Sequence, residues 1–284
     1  MKKRIFSLAA WGAAAVLGLA ALAPAHAAGE LEQITKRGEL RIGYVPSPPG
    51  TAKDPVSGEL TGFYVEAAKA VAEQMGVKPV FIETTWGNFV AGLQANQFDM
   101  SIAATFATVK RAMVVDFSKP LLYLGSVAVV RKDDTRFKTV QDMNDPAIKI
   151  AVVQGTAAED WVRRTIPKAK LVSLGGGNLT AGFMEVAAGR ADASFEDGFT
   201  AGRFVAQQPS TKVLFAEKPV FFLPVAWTVK KGNSELQSVL DIGLDNLLIS
   251  GQWDAMVGKY LDGGRFVDQP NLREFPAKSA VTVK

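Results

Sequence analysis

From residue 39 onward the chain alternates short β-rich runs with stretches of helical period, and it does so twice, a pattern that restricts the fold to α/β layers. Residues 39–45 (ELRIGYV) read as a first strand. Residues 63–75 set Val65, Ala68, Val71, Ala72 and Met75 at helical spacing, and Gly76 stops them. A strand at 80–83, a helix at 87–95 carrying Phe89, Val90 and Leu93 on one face, and a strand at 98–103 complete the first unit. The grammar restarts after Leu124: strand 148–153 (IKIAVV), helix 157–165, strand 170–174, helix 180–188, strand 191–195. A strand at 225–230 follows, then a helix through Leu236, Leu240, Leu244, Leu247 and Leu248, and another near 253–260. Such alternation predicts mostly parallel sheets flanked by helices. Two such units in a row could be independent domains joined by one linker.

The first residues read as an export signal: Lys2, Lys3 and Arg4, an apolar run from Ile5 to about Leu22, and a small-residue exit at Ala25-His26-Ala27. Cleavage is expected after Ala27, giving a signal peptide at 1–27. A single membrane anchor is the competing reading, since the run is long enough to reach part-way across a bilayer. Removing 1–27 takes three of the 32 Lys and Arg and none of the 28 Asp and Glu, so the remainder is nearly neutral. No basic stripe is left to attract nucleic acid or an anionic membrane.

Cysteine is absent, which excludes disulfides, thiolate metal sites and a cysteine nucleophile. The one histidine, His26, leaves with the signal, so His-dependent triads, His metal ligands and His general bases go together. No HExxH or GxSxG pattern occurs, and Gly175-Gly176-Gly177 lacks the lysine of a phosphate loop. No cofactor or metal is expected.

Four places remain where chemistry can sit. Thr108 reads as a helix N-cap that puts Arg111 in the first turn at the carboxyl edge of the sheet, where ligands of open α/β sheets bind. There Arg111 is either a carboxylate clamp with two parallel hydrogen bonds or a solvated surface charge. Thr156 with Glu159 forms a capping-box pattern after strand 148–153, so that helix start is either an anion site or only a cap. Asp197 leaves strand 191–195 at its carboxyl end, as a partner for an ammonium group or as a loop cap. Trp86, at the exit of strand 80–83, is a flat ligand wall or ordinary core.

Taken together, Leu40-Arg41-Ile42-Gly43, Leu60-Thr61-Gly62-Phe63, Phe98-Asp99, Arg111 with Val115-Asp116-Phe117-Ser118, Gly155-Thr156, and Gly189-Arg190-Ala191-Asp192-Ala193 leading to Asp197 resemble the extracellular solute-binding proteins of family 3. These are the periplasmic amino acid-binding components of ABC transporters. The resemblance implies a two-lobed α/β fold of the type II periplasmic-binding-protein kind. Lobe 1 is then 28–122 plus 223–284 and lobe 2 is 123–222, with the chain crossing near 121–126 and returning near 218–224 through a stiff two-segment hinge. It also implies that Arg111 binds the ligand α-carboxylate with backbone N–H groups at Phe106 and Thr156. Asp197 takes the α-ammonium with the Ala104 carbonyl, and Trp86 packs on the ligand side chain. The implied partners are an amino acid and a membrane permease, and the protein is expected to be a periplasmic monomer and not an enzyme. The sequence departs from the family at Phe106, Pro48 and Tyr64, where a hydroxyl residue, an aromatic and an aspartate are usual. Val45 stands where binders of cationic amino acids carry an acid. A pocket of Val45, Pro48, Trp86 and Phe106 would leave a cationic side chain unpaired, which favours an apolar or aromatic ligand. The alternatives are a periplasmic enzyme on the same fold, such as a cyclohexadienyl or arogenate dehydratase using Glu196 or Asp197, and a receptor sensor domain.

Overall fold

The computed structural model describes residues 29–176 and 178–261; the expected signal at 1–27 and the stretch 262–284 assigned to lobe 1 lie outside them. The first part of the chain supplies α1 (Glu30–Arg37), β1 (Glu39–Tyr44), β2 (Ala52–Lys53), β3 (Leu60–Thr61), α2 (Phe63–Gln74), β4 (Lys78–Glu83), α3 (Phe89–Gln94), β5 (Met100–Phe106), α4 (Val109–Ala112) and β6 (Val115–Phe117). Next come β7 (Leu122–Arg131), a 3₁₀ turn (Val140–Met143), β8 (Lys149–Val153), α5 (Ala157–Thr165), β9 (Lys170–Leu174), α6 (Ala181–Ala187), β10 (Ala193–Asp197) and α7 (Gly198–Gln207). The described chain ends with β11 (Thr211–Leu214), β12 (Phe221–Lys230), α8 (Ser234–Ile249) and α9 (Gln252–Tyr260).

One hydrogen-bonded path orders the strands β4-β1-β5-β12-β7-β10-β8-β9, with β6 on β12 and β11 on β7. The pairs β1–β4, β1–β5, β8–β9 and β8–β10 are parallel. In contrast, β12 is antiparallel to β5 and β7, and β7 is antiparallel to β10. Two mostly parallel half-sheets are therefore joined through one antiparallel ribbon, in which Leu122 faces Val225 and Ser126 faces Phe221. Residues 122–126 and 221–225 form that ribbon, and the architecture is the two-lobed α/β fold.

Local sequence explains the layers. The run Ile150-Ala151-Val152-Val153 is fully covered because β8 sits between β9 and β10 with a helix on each face. On α8, Leu236, Leu240, Leu244 and Leu247 form one buried stripe, while Ile242 and Ile249 on the other faces are exposed. That stripe, Val71 and Ala72 of α2, and Trp227 of β12 share the larger core. A second core gathers Ile150, Val152, Val162 and Phe195 beneath α5. Among the described residues no helix is long and apolar enough to cross a membrane.

Asp99 ties the amino end of the first half-sheet together. Its carboxylate, 1% exposed, accepts from the Arg41 backbone N–H at 2.8 Å, from Arg41 Nη2 at 2.6 Å and from Arg37 Nη2 at 2.6 Å. Replacing Asp99 with alanine removes charge-assisted bonds and orphans a strand-edge donor, a loss of roughly 3 kcal/mol. Urea unfolding should show the midpoint fall accordingly; an unchanged midpoint would reduce the cluster to surface decoration.

Candidate functional site

The carboxyl ends of β5, β8 and β10 converge on one cleft. β5 runs three residues further than the periodicity predicts and so carries Ala104 and Phe106 to the sheet edge. Thr108 caps α4, its Oγ1 accepting from the Arg111 N–H at 3.3 Å. The Arg111 side chain then turns inward: Nη1 donates to the Phe106 carbonyl at 2.9 Å and Nη2 to the Gly155 carbonyl at 2.6 Å. The guanidinium also lies 5.6 Å from the Phe89 ring centroid. Arg111 is 8% exposed, so the surface-charge reading fails. Burial lowers its pKa to about 10, against the attraction of Asp160 and Glu196, and it remains a cation at neutral pH.

On the other lobe, Gly155 follows β8 with φ +81°, a left-handed conformation that suits glycine, and Thr156 caps α5. Thr156 Oγ1 accepts from the Glu159 N–H at 3.3 Å. The reciprocal bond is displaced by one residue, because the Glu159 carboxylate takes the Gly155 N–H at 2.8 Å rather than that of Thr156. Asp197 ends β10 and caps α7, with Oδ1 accepting from the Thr200 N–H at 2.8 Å and Oδ2 from Thr200 Oγ1 at 2.7 Å. Burial raises the Asp197 pKa while these two bonds oppose the rise.

All six residues singled out from the sequence, Trp86, Ala104, Phe106, Arg111, Thr156 and Asp197, border one cavity. It encloses about 560 Å³ of space not filled by atoms, part of it open to solvent. The Thr156 and Asp197 side chains both cap helices, and both residues border the cavity. Trp86 borders the cavity while 5% exposed and edge-on to Phe89.

Two differences from the sequence reading matter. Val45 is fully buried in a core with Phe89 and Phe98 and does not border the cavity. Glu196, Tyr64 and Phe199 do border it. Glu196 is 4% exposed; burial and the neighbouring Asp197 push its carboxyl well above the usual range, and Arg111 opposes them. Burial and the Asp197 charge push the Tyr64 phenol up, so it is neutral at physiological pH. Strand alternation sends neighbours to opposite faces, so a reading that makes Asp197 the ammonium partner gives Glu196 no part in amino acid binding.

The lobes touch across the cleft. Besides the Arg111 bond to Gly155, Lys110 Nζ meets Asp160 Oδ1 at 2.7 Å on the surface. Gly155 lies so close to Trp86 that a Cβ there would stand 2.7 Å from the Trp86 carbonyl oxygen.

Residues 40–263 match the family described as bacterial extracellular solute-binding proteins, family 3. A probable amino-acid ABC transporter periplasmic-binding protein from Sinorhizobium fredii is 33% identical over 185 residues, 63% of this chain and 60% of that one. A probable amino-acid ABC transporter-binding protein from Haemophilus influenzae is 28% identical over 238 residues, 83% of this chain and 88% of that one. Among solved structures, the ancestral amino acid-binding protein AncCDT-1, a precursor of cyclohexadienyl dehydratase, superposes with a TM-score of 0.73 at 33% identity, covering 82% of this chain and 99% of that one. With the match spanning both half-sheets and every strand end that borders the cleft, the chain belongs to the bacterial extracellular solute-binding proteins of family 3.

Proposed function

We propose that the protein captures a free α-amino acid in the periplasm and presents it, as a monomer, to the membrane permease of an ABC importer. The observation that supports this most is that one buried guanidinium, Arg111, and one buried carboxylate, Asp197, border the same cavity from opposite sides of the β7–β12 ribbon. A guanidinium has five N–H donors and Arg111 spends two on carbonyls, which leaves three for a ligand carboxylate. The carboxylate oxygens of Asp197 keep lone pairs beyond those taken by Thr200, enough for an α-ammonium. In this reading the start of α5 at Thr156 adds to the carboxylate site, Ala104 offers its carbonyl to the ammonium, and Trp86 and Phe106 wall the side chain. Lobe 1 is taken as 28–122 plus 223–284 and lobe 2 as 123–222, a division supported by the strand order. Ligand that pairs both charges at once stabilises the shut cleft over the open one. Uncharged walls from Pro48, Trp86, Phe106, Leu124 and Phe199 favour an apolar or aromatic side chain.

Calorimetry with L-amino acids, and with analogues that lack one pole, tests the reading. At least one amino acid should bind, and the matching amine or carboxylic acid should bind weaker by about 2–5 kcal/mol, because a buried charge loses its partner. An amine held as tightly as its amino acid would sink the proposal. The second reading, a dehydratase on this fold, draws support from Glu196, a buried acid in the cavity of the kind that acid catalysis needs. Conversion of prephenate or arogenate to an aromatic product would put that reading first.

A further inference from the structure

Glu196 is the buried ionisable group that amino acid capture, as proposed above, leaves without a task. The residues bordering the cavity include one cationic side chain, Arg111, and two carboxyl groups, Glu196 and Asp197. The backbone of an amino acid needs one cation and one anion, and Arg111 with Asp197 meets that need. Asp197 is anchored by Thr200, and Arg111 by the carbonyls of Phe106 and Gly155. One acid is therefore in excess among these buried side chains, and an unmatched buried charge is costly. The excess has two resolutions: the carboxyl keeps its proton, or the ligand brings a second positive charge.

We propose that Glu196 is a specificity-determining residue that couples ligand choice to a proton, admitting an uncharged side chain when it carries the proton and a cationic one when it has lost it. The inference rests on the amino acid reading above and extends it to the class of ligand side chain. The groups around Glu196 are consistent with this coupling. Asp197 on β10 repels its charge, and Arg111 from α4 attracts it. Asp160 on α5 acts on Arg111, and Tyr64 on α2 is a neutral phenol beside Asp197. The one attractive cation is also the group that a ligand carboxylate claims, so ligand binding withdraws support from an ionised Glu196. Burial and Asp197 together push the Glu196 carboxyl up toward the range where a proton is retained.

The signs follow. An uncharged ligand needs the protonated form, so its affinity is level at low pH and falls up to about tenfold per pH unit above the Glu196 pKa of the free protein. A cationic ligand needs the ionised form, so its affinity rises up to about tenfold per pH unit below that pKa, where each binding event releases a proton, and is level above it. Norleucine and lysine share a four-carbon side chain and differ by the terminal ammonium, so the pair isolates the charge. Titrating the full chain with each, between about pH 5 and pH 9 and in buffers of different ionisation enthalpy, should show opposite pH slopes and proton release with lysine alone. Glu196→Gln should flatten both slopes and keep norleucine binding while weakening lysine at high pH by tenfold or more. Parallel slopes, no proton exchange, or slopes that persist in Glu196→Gln would overturn the inference. Should that variant fail to fold by circular dichroism, Glu196→Met replaces it, and the proton count of the wild-type protein decides by itself. If neither ligand binds at any pH, the amino acid reading falls and this inference with it; if they bind without pH dependence, only the role of Glu196 falls.

Discussion

Arg111→Ala should weaken amino acid binding by about 2–5 kcal/mol, a loss between roughly thirty-fold and several thousand-fold. The size comes from what the substitution strands. In the shut cleft a ligand carboxylate would face a cavity whose remaining acidic side chains, Glu196 and Asp197, offer it no positive charge. A buried anion among acids keeps its full desolvation cost. The variant also deletes the Nη2 bond to the Gly155 carbonyl, which spans the lobes, so closure loses a contact as well as a ligand anchor. Arg111→Lys separates the two effects. Lysine keeps the charge but cannot serve two carbonyls and a carboxylate with fork geometry, so it should recover only part of the affinity. Calorimetry on the wild-type protein and both variants checks this, and equal affinity in all three would remove Arg111 from the site.

Much of this site was legible in the sequence because the strand ends carry their own punctuation. A threonine three residues before Arg111, a Gly-Thr pair after an unbroken apolar strand, and an aspartate leaving a strand each announce a helix start at the carboxyl edge of a sheet. Local chemistry left open whether Thr156 and Asp197 only cap or also meet a ligand; both cap helices and both border the cavity. The fold was legible where periodicity was strong, as in β8 and α8. It was illegible in α1, whose only buried residue is Ile34, and in α7, whose sequence GFTAGRFVAQ holds two glycines and no sustained stripe. Val45 was misplaced for a related reason: its strand leads toward the cleft, but the loop that follows delivers Pro48 to the cavity and leaves Val45 in the core with Phe98. Glu196 entered only as an acid for the enzyme alternative, because alternation assigns it and Asp197 to opposite faces, an assumption that weakens where β10 ends and the chain turns into α7. The contact between Gly155 and Trp86 joins segments distant in sequence, and no local pattern encodes it.

That contact supports the second large expectation: Gly155→Ala should hold the cleft ajar and lower ligand affinity by tenfold or more. The methyl carbon would stand 2.7 Å from the Trp86 carbonyl oxygen, 2.9 Å from its carbon and 3.1 Å from the Gly87 Cα, all backbone atoms of the opposite lobe. Backbone cannot step aside as a flexible side chain can, so the lobes must separate or shear. Within its own lobe the new methyl costs only the strain of a non-glycine residue at φ +81°, about 1–3 kcal/mol. Melting of the ligand-free variant should therefore fall by only a few degrees per kcal/mol, while its affinity falls much further. Opening the cleft also lengthens the Arg111 bond to the Gly155 carbonyl and readmits water around the guanidinium, weakening the pairing that holds a ligand carboxylate. Small-angle scattering with saturating ligand should give a larger radius of gyration for Gly155→Ala than for the wild-type protein. A variant that shuts as fully and binds as tightly would show that the approach of Gly155 to Trp86 is incidental to closure, and the two lobes would then be brought together by the ligand and Arg111 alone.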